Sequence, residues 1–240
     1  MTLKSNNNVR ELACCELCPT HKACLARYAT PSQRRVLGQS LQLVSPLQAG
    51  EYVYRAGAVV KGQYHIRSGM VKTYVTTASG EACVTGFVLA GEILNHGYAS
   101  GVHSDYAVAL ETVSLCRLDT VAIELLGHHG MSATMLDNQA EQVRFEVMHQ
   151  MNLRQTSAEK RFAGFCLQYG QRRARLGLDE RILPTPMSRT DLASYLGMKL
   201  ESLSRVISRL QSRGLVAAQR SQVQVLQPLE LANLADHLRY

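Results

Sequence analysis

The segment 187–216, MSRTDLASYLGMKLESLSRVISRLQSRGLV, constrains the fold of this chain more strongly than any other stretch. Ser188 and Asp191 have the spacing of a capping box, and Gly197 marks a tight turn after a short first helix. A second helix is predicted from about Lys199 to Ser212. The apolar face of the pair comprises Leu192, Leu196, Leu203, Ile207 and Leu210, with the small Ala193 at the crossing. This pattern predicts a helix-turn-helix, whose second helix lies in the major groove of DNA.

The exposed face of the second helix carries side chains suited to base edges. Glu201, Ser204 and Arg205 share one face near its start, because residues three and four apart are neighbours on a helix. Arginine can donate twice to guanine and glutamate can accept from cytosine, whereas serine suits either kind of partner. Arg209 and Arg213, further along, are predicted phosphate contacts. The following LVAAQRSQVQVL predicts a two-stranded wing; an ordinary helical hairpin with a solvated face is the alternative.

The charge distribution supports an acidic partner. Lys and Arg number 26 against 19 Asp and Glu, a net charge of +7, and the basic residues concentrate between residues 160 and 220. No apolar run approaches the length of a membrane span, and the N-terminus lacks the apolar core of a signal peptide. We therefore expect a cytoplasmic protein with reduced thiols and no membrane partner.

The middle of the chain has the pattern of an antiparallel β structure. From about residue 40 to 118 short β-prone runs alternate with glycines, which predicts a sandwich or barrel without long helices. The pattern then changes, because residues 131–155 contain no Gly or Pro. A helical stripe recurs there at steps of three and four: Leu136, Ala140, Val143, Val147 and Met151. It can pack on a partner helix or on its own domain, and the sequence leaves both open.

Two further local patterns lie between this helix and the helix-turn-helix. Thr156 and Glu159 have the spacing of a capping box and predict a new helix through KRFAGFCLQYG. Pro184 and Pro186 exclude a helix in the segment GLDERILPTP, which is predicted to be a loop or an extended piece.

Four cysteines lie in the stretch CCELCPTHKAC, residues 14–24. A disulfide staple, a zinc site and a more reactive centre are the candidates, and the expected reducing compartment disfavours the staple. Cys83, in a predicted loop or strand edge, and Cys166, on an apolar helix, are interpreted as packing residues.

These residues resemble the Crp/Fnr family of bacterial transcription regulators, and most closely its oxygen-sensing, iron–sulfur branch. The resemblance runs from about residue 12 to the C-terminus and includes ALETVSLC at 109–116 and ESLSR at 201–205. It implies one [4Fe–4S] cluster, held by a C-x2-C-x5-C triad and a distant cysteine. The ligands it implies are Cys15, Cys18, Cys24 and Cys116. Cys14 offers an alternative to Cys15 in a C-x3-C register, but the family spacing favours Cys15.

The resemblance also implies an α+β fold with a cyclic-nucleotide-binding-type β-roll, a long dimerisation helix and a C-terminal winged helix-turn-helix. The expected domains are a cysteine segment 1–30, a β-roll sensor 31–127, a dimerisation helix 128–155 and a DNA-binding domain 156–240. A homodimer would read TTGAT-type inverted repeats through Glu201, Ser204 and Arg205 and regulate genes of anaerobic metabolism. The loop 76–86 would contact RNA polymerase. Glu146 occupies the place of an acidic residue that tunes the dimer by like-charge repulsion, with Glu here instead of the expected Asp.

Departures from the family pattern leave other interpretations in view. Gly91 and Glu92 match a nucleotide-binding pair, but no Arg-Ser follows to hold a phosphate, so no response to a cyclic nucleotide is expected. A Crp-like regulator with structural zinc is one alternative, although three clustered cysteines and one distant cysteine suit a cluster better than paired C-x2-C knuckles. A cytosolic metalloenzyme is another, but the sequence contains no acid–base pair, Ser-His-Asp set or Gly-rich phosphate loop for it.

Overall fold

The computed structural model describes residues 15, 18–21, 23–27, 29–94, 100–127 and 132–235. They divide into two compact units, Met1–Val75 with Phe87–Glu141 and Thr76–Gly86 with Gln142–Tyr240. The fold is of the predicted α+β class, with an antiparallel β-roll, helices and a C-terminal helix-turn-helix. In the described part of the chain, every helix is too short or too polar to cross a bilayer.

The described residues of the β-roll form eight strands in two sheets. The strands are β1 Leu41–Leu47, β2 Tyr52–Tyr54, β3 Gly62–Ser68, β4 Val71–Thr76, β5 Ala82–Val88, β6 Ile93–Leu94, β7 Tyr106–Ala109 and β8 Val113–Asp119. One sheet has the order β1-β8-β3-β6 and the other β2-β7-β4-β5. A 3₁₀ turn at Leu25–Arg27 and helix α1, Pro31–Ser40, precede the strands, and α2, Thr120–Leu126, follows them. The prediction of short strands without long helices between residues 40 and 118 is confirmed for the described residues.

The two faces of the first sheet have different environments, because successive side chains on a strand point to opposite faces. Ile66 of β3 and Leu115 of β8 point into the core between the sheets, where they pack with Tyr54 and Ala107 of the second sheet. Leu118, on the opposite face of β8, belongs to a separate apolar cluster. The N-terminal segment and the flanking helices therefore cover the outer face of this sheet.

That outer cluster connects three parts of the first unit. Leu25 of the 3₁₀ turn, Leu37 of α1 and Ala122 of α2 are buried in it together with Leu118. Met135, near the start of helix α3 (Ser132–Leu153), packs against the same cluster and is partly buried. One continuous apolar layer thus joins the cysteine segment, the β-roll and the first turns of α3.

The second unit contains most of β5, the C-terminal half of α3 and the remaining elements. These remaining elements are α4 Ala158–Ala174, β9 Ile182–Pro184, α5 Arg189–Tyr195, α6 Leu200–Ser212, β10 Val216–Ala218, β11 Gln222–Val225 and α7 Pro228–Ala235. The wing strands β10 and β11 pair antiparallel, as predicted, and β9 adds a third strand beside β11. The end of α3 is tied to α4, because Asn152 donates to the carbonyl of Arg161 at 2.8 Å and Gln168 donates to that of Met148 at 3.0 Å.

The predicted capping box at the start of α4 is wrong. Helix α4 has Ser157, not Thr156, as its N-cap, and no side-chain hydrogen bond caps it. The acidic side chain of Glu159 pairs instead with two arginines of the helix-turn-helix. An ion pair formed by residues distant in sequence has displaced the local capping pattern.

Candidate metal centre and nucleic-acid interface

The structure brings together four cysteines that are far apart in the sequence. Cys15, Cys18 and Cys24 of the N-terminal segment and Cys116 of β8 line a single cavity on the outer face of the first sheet. The rest of the wall is mostly apolar and comprises Thr20, Leu25, Leu37, Leu41, Leu43, His65, Arg67 and Leu118. Cys14, the possible substitute ligand, lies outside the described residues.

Short turns direct the N-terminal cysteines toward the cavity. The amide of Cys24 donates to the carbonyl of Thr20 at 2.9 Å, and the amide of His21 donates to that of Cys18 at 3.0 Å. The Cys18 Sγ and the Thr20 hydroxyl are 3.2 Å apart and hydrogen-bonded. The segment is anchored just beyond them, because Leu25 is almost completely buried. The backbone hydrogen bonds form two turns, one closed by Cys18 and His21 and one closed by Thr20 and Cys24, and the thiols of Cys15, Cys18 and Cys24 line the cavity.

Strand register fixes the fourth cysteine. Cys116 lies between Leu43 of β1 and His65 of β3, which are its partners in the two neighbouring strands. The imidazole of His65 is buried, and this burial lowers its pKa to about 4, so the ring is neutral at neutral pH. Arg67 follows on the same face of β3 and also lines the cavity.

The cavity shifts the pKa values of two of its thiols in opposite directions. Burial raises the pKa of Cys116, and the nearby Cys24, Cys15 and Cys18 raise it further, while Arg67 lowers it. At Cys18, burial also raises the pKa, but hydrogen bonds from Thr20 and the hydrogen bond and charge of Arg67 outweigh it, so the pKa is lowered. Four thiolates in one apolar cavity repel one another, and a bound cationic centre would remove that repulsion.

The four cavity cysteines supply thiolate donors, which both zinc ions and iron–sulfur clusters take. Within the described ranges, no three His, Cys, Asp or Glu side chains are grouped closely enough to hold one metal ion. Four thiolates on one zinc, at Zn–S distances near 2.3 Å, must lie within about 3.8 Å of one another. In a [4Fe–4S] cluster each thiolate binds a separate iron, so the sulfurs can remain spread around a cavity. The four cysteines therefore supply, in one cavity, donors of the type that such a cluster takes.

The other described cysteines have different environments. Cys166 on α4 is 1% exposed, and its burial raises the pKa of the thiol, so the interpretation of Cys166 as a packing residue is confirmed. Cys83 lies on β5, as a strand-edge residue, but it is exposed, and the interpretation of Cys83 as a packing residue is wrong. None of the described cysteines forms a disulfide bond.

The helix-turn-helix is formed as the sequence predicts. Ser188 caps α5, accepting from the amide of Asp191 at 2.9 Å, and Gly197 makes the turn with a φ of 59°. The predicted apolar face of the two helices is buried throughout. On the opposite side of α6, Glu201, Ser204 and Arg205 are exposed. The predicted base-contacting side chains thus share one accessible face of the second helix.

Local bonds hold the exposed side chains of α6 against their own helix. The Ser204 hydroxyl donates to the carbonyl of Leu200 at 3.0 Å, and Arg205 Nε donates to that of Glu201 at 3.4 Å. These single bonds are weak and exposed, so a base edge can replace them at low cost.

The two arginines predicted to contact phosphates share one acidic partner. Arg209 and Arg213 both pair with the carboxylate of Glu159, which is mostly shielded from solvent, with 16% of its side chain exposed. The guanidinium groups are more exposed, at 65% for Arg209 and 46% for Arg213. Glu159, which the sequence pattern placed in a capping box, therefore fixes the direction of two cations beside the second helix.

The predicted stripe on α3 is exposed to solvent. Leu136 is 69% exposed, Val143 54%, Val147 50% and Met151 37%. Ala140 and Glu146 on the same helix are exposed as well. These six side chains are not covered by the described part of their own chain.

The segment in which the family's nucleotide-binding residues would lie begins at Gly91 and Glu92, and the structure describes it except for residues 95–99. Glu92 accepts from the amide of Leu89 at 2.9 Å, which closes a turn at Gly91. Downstream, Asp105 is buried, and His103 stacks on the ring of Tyr54 with centroids 3.6 Å apart. Burial and the Asp105 carboxylate raise the pKa of Tyr54. A buried carboxylate in this segment disfavours an anionic ligand, and the absence of a cyclic-nucleotide response stays a prediction.

Comparison with known proteins identifies the class of molecule. Residues 44–126 match the cyclic nucleotide-binding domain family, and residues 160–234 match the Crp-like helix-turn-helix domain family. These matches and the fold define a DNA-binding transcription regulator.

Individual relatives place it more closely. The chain is 30% identical over 227 residues to the transcriptional activator protein Anr of Pseudomonas protegens, covering 92% of each chain. It is 28% identical over 228 residues to the fumarate and nitrate reduction regulatory protein of Escherichia coli K12, covering 94% of this chain and 91% of that protein. The chain belongs to the Crp/Fnr family of transcription regulators. It is a regulator of the Fnr and Anr type and not an enzyme.

Solved structures agree in fold. FixK2 from Bradyrhizobium japonicum superposes with a TM-score of 0.72 at 24% identity, covering 83% of this chain and 99% of that one. TTHB099 from Thermus thermophilus, a regulator of the CRP family, gives a TM-score of 0.65 at 19% identity, covering 80% and 97%. At these identities the agreement concerns the fold alone.

Proposed function

We propose that this regulator senses oxygen through a [4Fe–4S] cluster and binds DNA as a dimer while the cluster is intact. The observation that carries the proposal is the cavity shared by Cys15, Cys18, Cys24 and Cys116. The cluster supplies an oxygen-labile centre that joins the N-terminal segment to the β-roll. The names of the Fnr relatives give additional support, because they connect this family branch with fumarate and nitrate reduction.

The four cysteines would act as a clip between two parts of the first unit. Three of them lie on a segment held mainly by its turns and by the burial of Leu25, whereas Cys116 lies inside a β-ladder. When the thiolates share one centre, the segment is fixed to the outer face of the sheet. When that centre is lost, the segment keeps only its apolar contacts with the sheet, and repulsion between the buried cysteine thiolates opposes its attachment.

The apolar layer of the first unit provides a route from the cysteines to α3. Cys24 and Met135 both pack against the cluster formed by Leu25, Leu37 and Leu118. Leu136, the next residue along α3, begins the exposed stripe. Fixing the cysteine segment therefore stabilises the N-terminal turns of α3 directly, by burying apolar area around Met135.

The exposed stripe on α3 is the proposed dimer surface, formed by Leu136, Ala140, Val143, Glu146, Val147 and Met151. Apolar residues at steps of three and four, exposed along a single helix, are what a partner helix covers in a coiled-coil pair. Glu146 beside the stripe would meet its own copy across a two-fold axis, and the like charges would weaken the dimer. A weakened dimer is one that a change at the cysteine site can dissociate.

The DNA target follows from the exposed face of α6. We infer that Glu201, Ser204 and Arg205 contact base edges of a TTGAT-type half-site and that the dimer binds an inverted repeat. Arg209 and Arg213 would contact phosphates. Each arginine would either leave its ion pair with the carboxylate of Glu159 or keep that pair while it contacts the phosphate. Regulation of genes for anaerobic metabolism, a contact of the loop 76–86 with RNA polymerase and a cytoplasmic location complete the proposal.

Replacing Arg205 by alanine tests the assignment of base contacts. Discrimination in favour of the half-site guanine should fall by roughly 1–3 kcal/mol, because a paired donor to guanine is removed. The measurement compares affinities for the TTGAT repeat and for a repeat with that guanine changed. Arg213→Ala is the matched control; it should weaken both sequences equally and reduce the salt dependence by about one unit of slope. Equal weakening of both sequences by Arg205→Ala would make it a phosphate contact.

The nature of the metal centre is tested on protein purified without air. We expect a brown protein with broad visible absorbance and about four iron and four sulfide per chain. A colourless protein with one zinc per chain would instead support the second candidate, a Crp-like regulator with a structural zinc site. That outcome would overturn the oxygen-sensing proposal while leaving DNA binding by α6 intact.

A further inference from the structure

His65 is a polar residue of the cysteine cavity that the ligand set does not use. It lies on β3 directly beside Cys116 of β8, and Leu43 of β1 flanks Cys116 on the other side. Its side chain faces the cavity together with that of Arg67, whereas Ile66 points into the core between the sheets. Only 4% of the residue is exposed.

The ring nitrogen Nε2 of His65 has no hydrogen-bond partner in the described part of the chain. Two other polar side chains of the cavity wall have a partner there: the Thr20 hydroxyl bonds to the sulfur of Cys18, and Arg67 bonds to the same thiol. Leucines make up much of the remaining wall. A buried nitrogen left unpaired is costly, so its position at a sulfur-lined cavity points to a partner inside that cavity.

We propose that Nε2–H of His65 donates a hydrogen bond to a sulfur of the bound cluster and so sets its redox stability. This inference rests on the proposed cluster and adds a positioning residue that is not one of its four ligands. Hydrogen bonds to the sulfurs of an iron–sulfur cluster raise its reduction potential by stabilising the more negative, reduced form. His65 therefore makes the cluster harder to oxidise and slows its loss in air.

Two substitutions separate the donor from the bulk of the ring. His65→Leu keeps an apolar side chain of comparable size but has no donor, whereas His65→Gln keeps an N–H donor on a flexible chain. In anaerobic protein, His65→Leu should lower the midpoint potential of the cluster and shorten the half-life of its absorbance in air roughly tenfold, as loss of an outer partner does at metal sites. In His65→Gln, the midpoint potential and the half-life in air should both be close to the wild-type values, because an N–H donor is retained. Leu43→Ala, at the other flank of Cys116, is the control for loss of cavity wall without loss of a donor, and it is compared with wild type by the nitrogen coupling described below.

A spectroscopic signature reports the hydrogen bond without depending on stability. Wild-type protein labelled with ¹⁵N-histidine and reduced without air should show a weak nitrogen coupling to the cluster in pulsed electron paramagnetic resonance. The coupling should vanish in His65→Gln and persist in Leu43→Ala. Because His21 is also close to Cys18, loss in His65→Gln is what assigns the signal.

The outcomes distinguish this inference from the proposed function. A cluster whose potential, air half-life and nitrogen coupling are the same in His65→Leu as in wild type would overturn the role of His65 and leave the cluster proposal standing. A strong coupling typical of a directly bound nitrogen would overturn the donor role in favour of ligation by His65. A wild-type protein that holds no iron or sulfide would overturn the proposed function itself.

Discussion

Cys116→Ser should leave the anaerobic protein colourless, monomeric and unable to select its DNA site. Cys116 is the only described cavity cysteine that lies in a β-ladder, so it holds the strand side of the proposed clip. Without it the N-terminal segment has no bonded anchor on the sheet, and the part of the support of Met135 that comes from that segment is weakened. Affinity for the inverted repeat should fall by roughly three orders of magnitude, toward the level of non-specific binding. Visible absorbance, sedimentation and DNA binding are measured on the same anaerobic sample.

Cys83→Ser provides the matched control for this change. Cys83 is exposed on β5, so the same exchange of sulfur for oxygen there should leave absorbance, mass and affinity unchanged. If Cys116→Ser keeps the full iron content and binds the repeat with wild-type affinity, Cys116 is not the fourth ligand. The clip would then need another anchor.

Val147→Glu should give a monomer that retains its cluster. Val147 is half-exposed in the middle of the α3 stripe, and in a two-fold dimer its carboxylate would be buried against the partner helix beside Glu146. An uncompensated buried charge costs about 3–5 kcal/mol, so the dimer dissociation constant should rise by roughly 10² to 10³ or more. Sedimentation at several concentrations under nitrogen measures this shift, and binding to the inverted repeat should weaken in parallel.

Val59→Glu is the corresponding control, because it makes the same exchange at a valine that is 70% exposed outside α3. It should leave the mass and the affinity unchanged. If the Val147→Glu protein is still a dimer at the concentrations at which the wild-type protein is one, the dimer interface lies on another surface.

The helix-turn-helix was predictable because its signals are local. The Ser188 cap, the Gly197 turn and the buried leucines all lie within a few helical turns, and their spacing determines both helices. The β-roll was predictable as a class from alternation and glycines, but its strand order was not, because pairing joins residues distant in the chain. The exposure of the α3 stripe also required the structure, since its spacing suits a partner helix and an internal one equally.

The cysteine site shows the same limit. The triad spacing is visible in the sequence, but only strand register places Cys116 opposite His65 and opens both to the N-terminal segment. His65 had no local signal, because its face of β3 is set by pairing with β8. The capping role predicted for Glu159 is wrong because the prediction used only the local pattern. The fold brings Arg209 and Arg213 beside Glu159, and its carboxylate pairs with them instead.

In the proposed function, the cysteine site controls DNA binding in response to oxygen. The most direct measurement follows visible absorbance and the anisotropy of a labelled inverted-repeat DNA in one anaerobic cuvette while air is admitted. We expect both signals to decay together and the protein recovered afterwards to be monomeric. Loss of the absorbance with DNA binding unchanged, by a protein that remains a dimer, would contradict the proposed function.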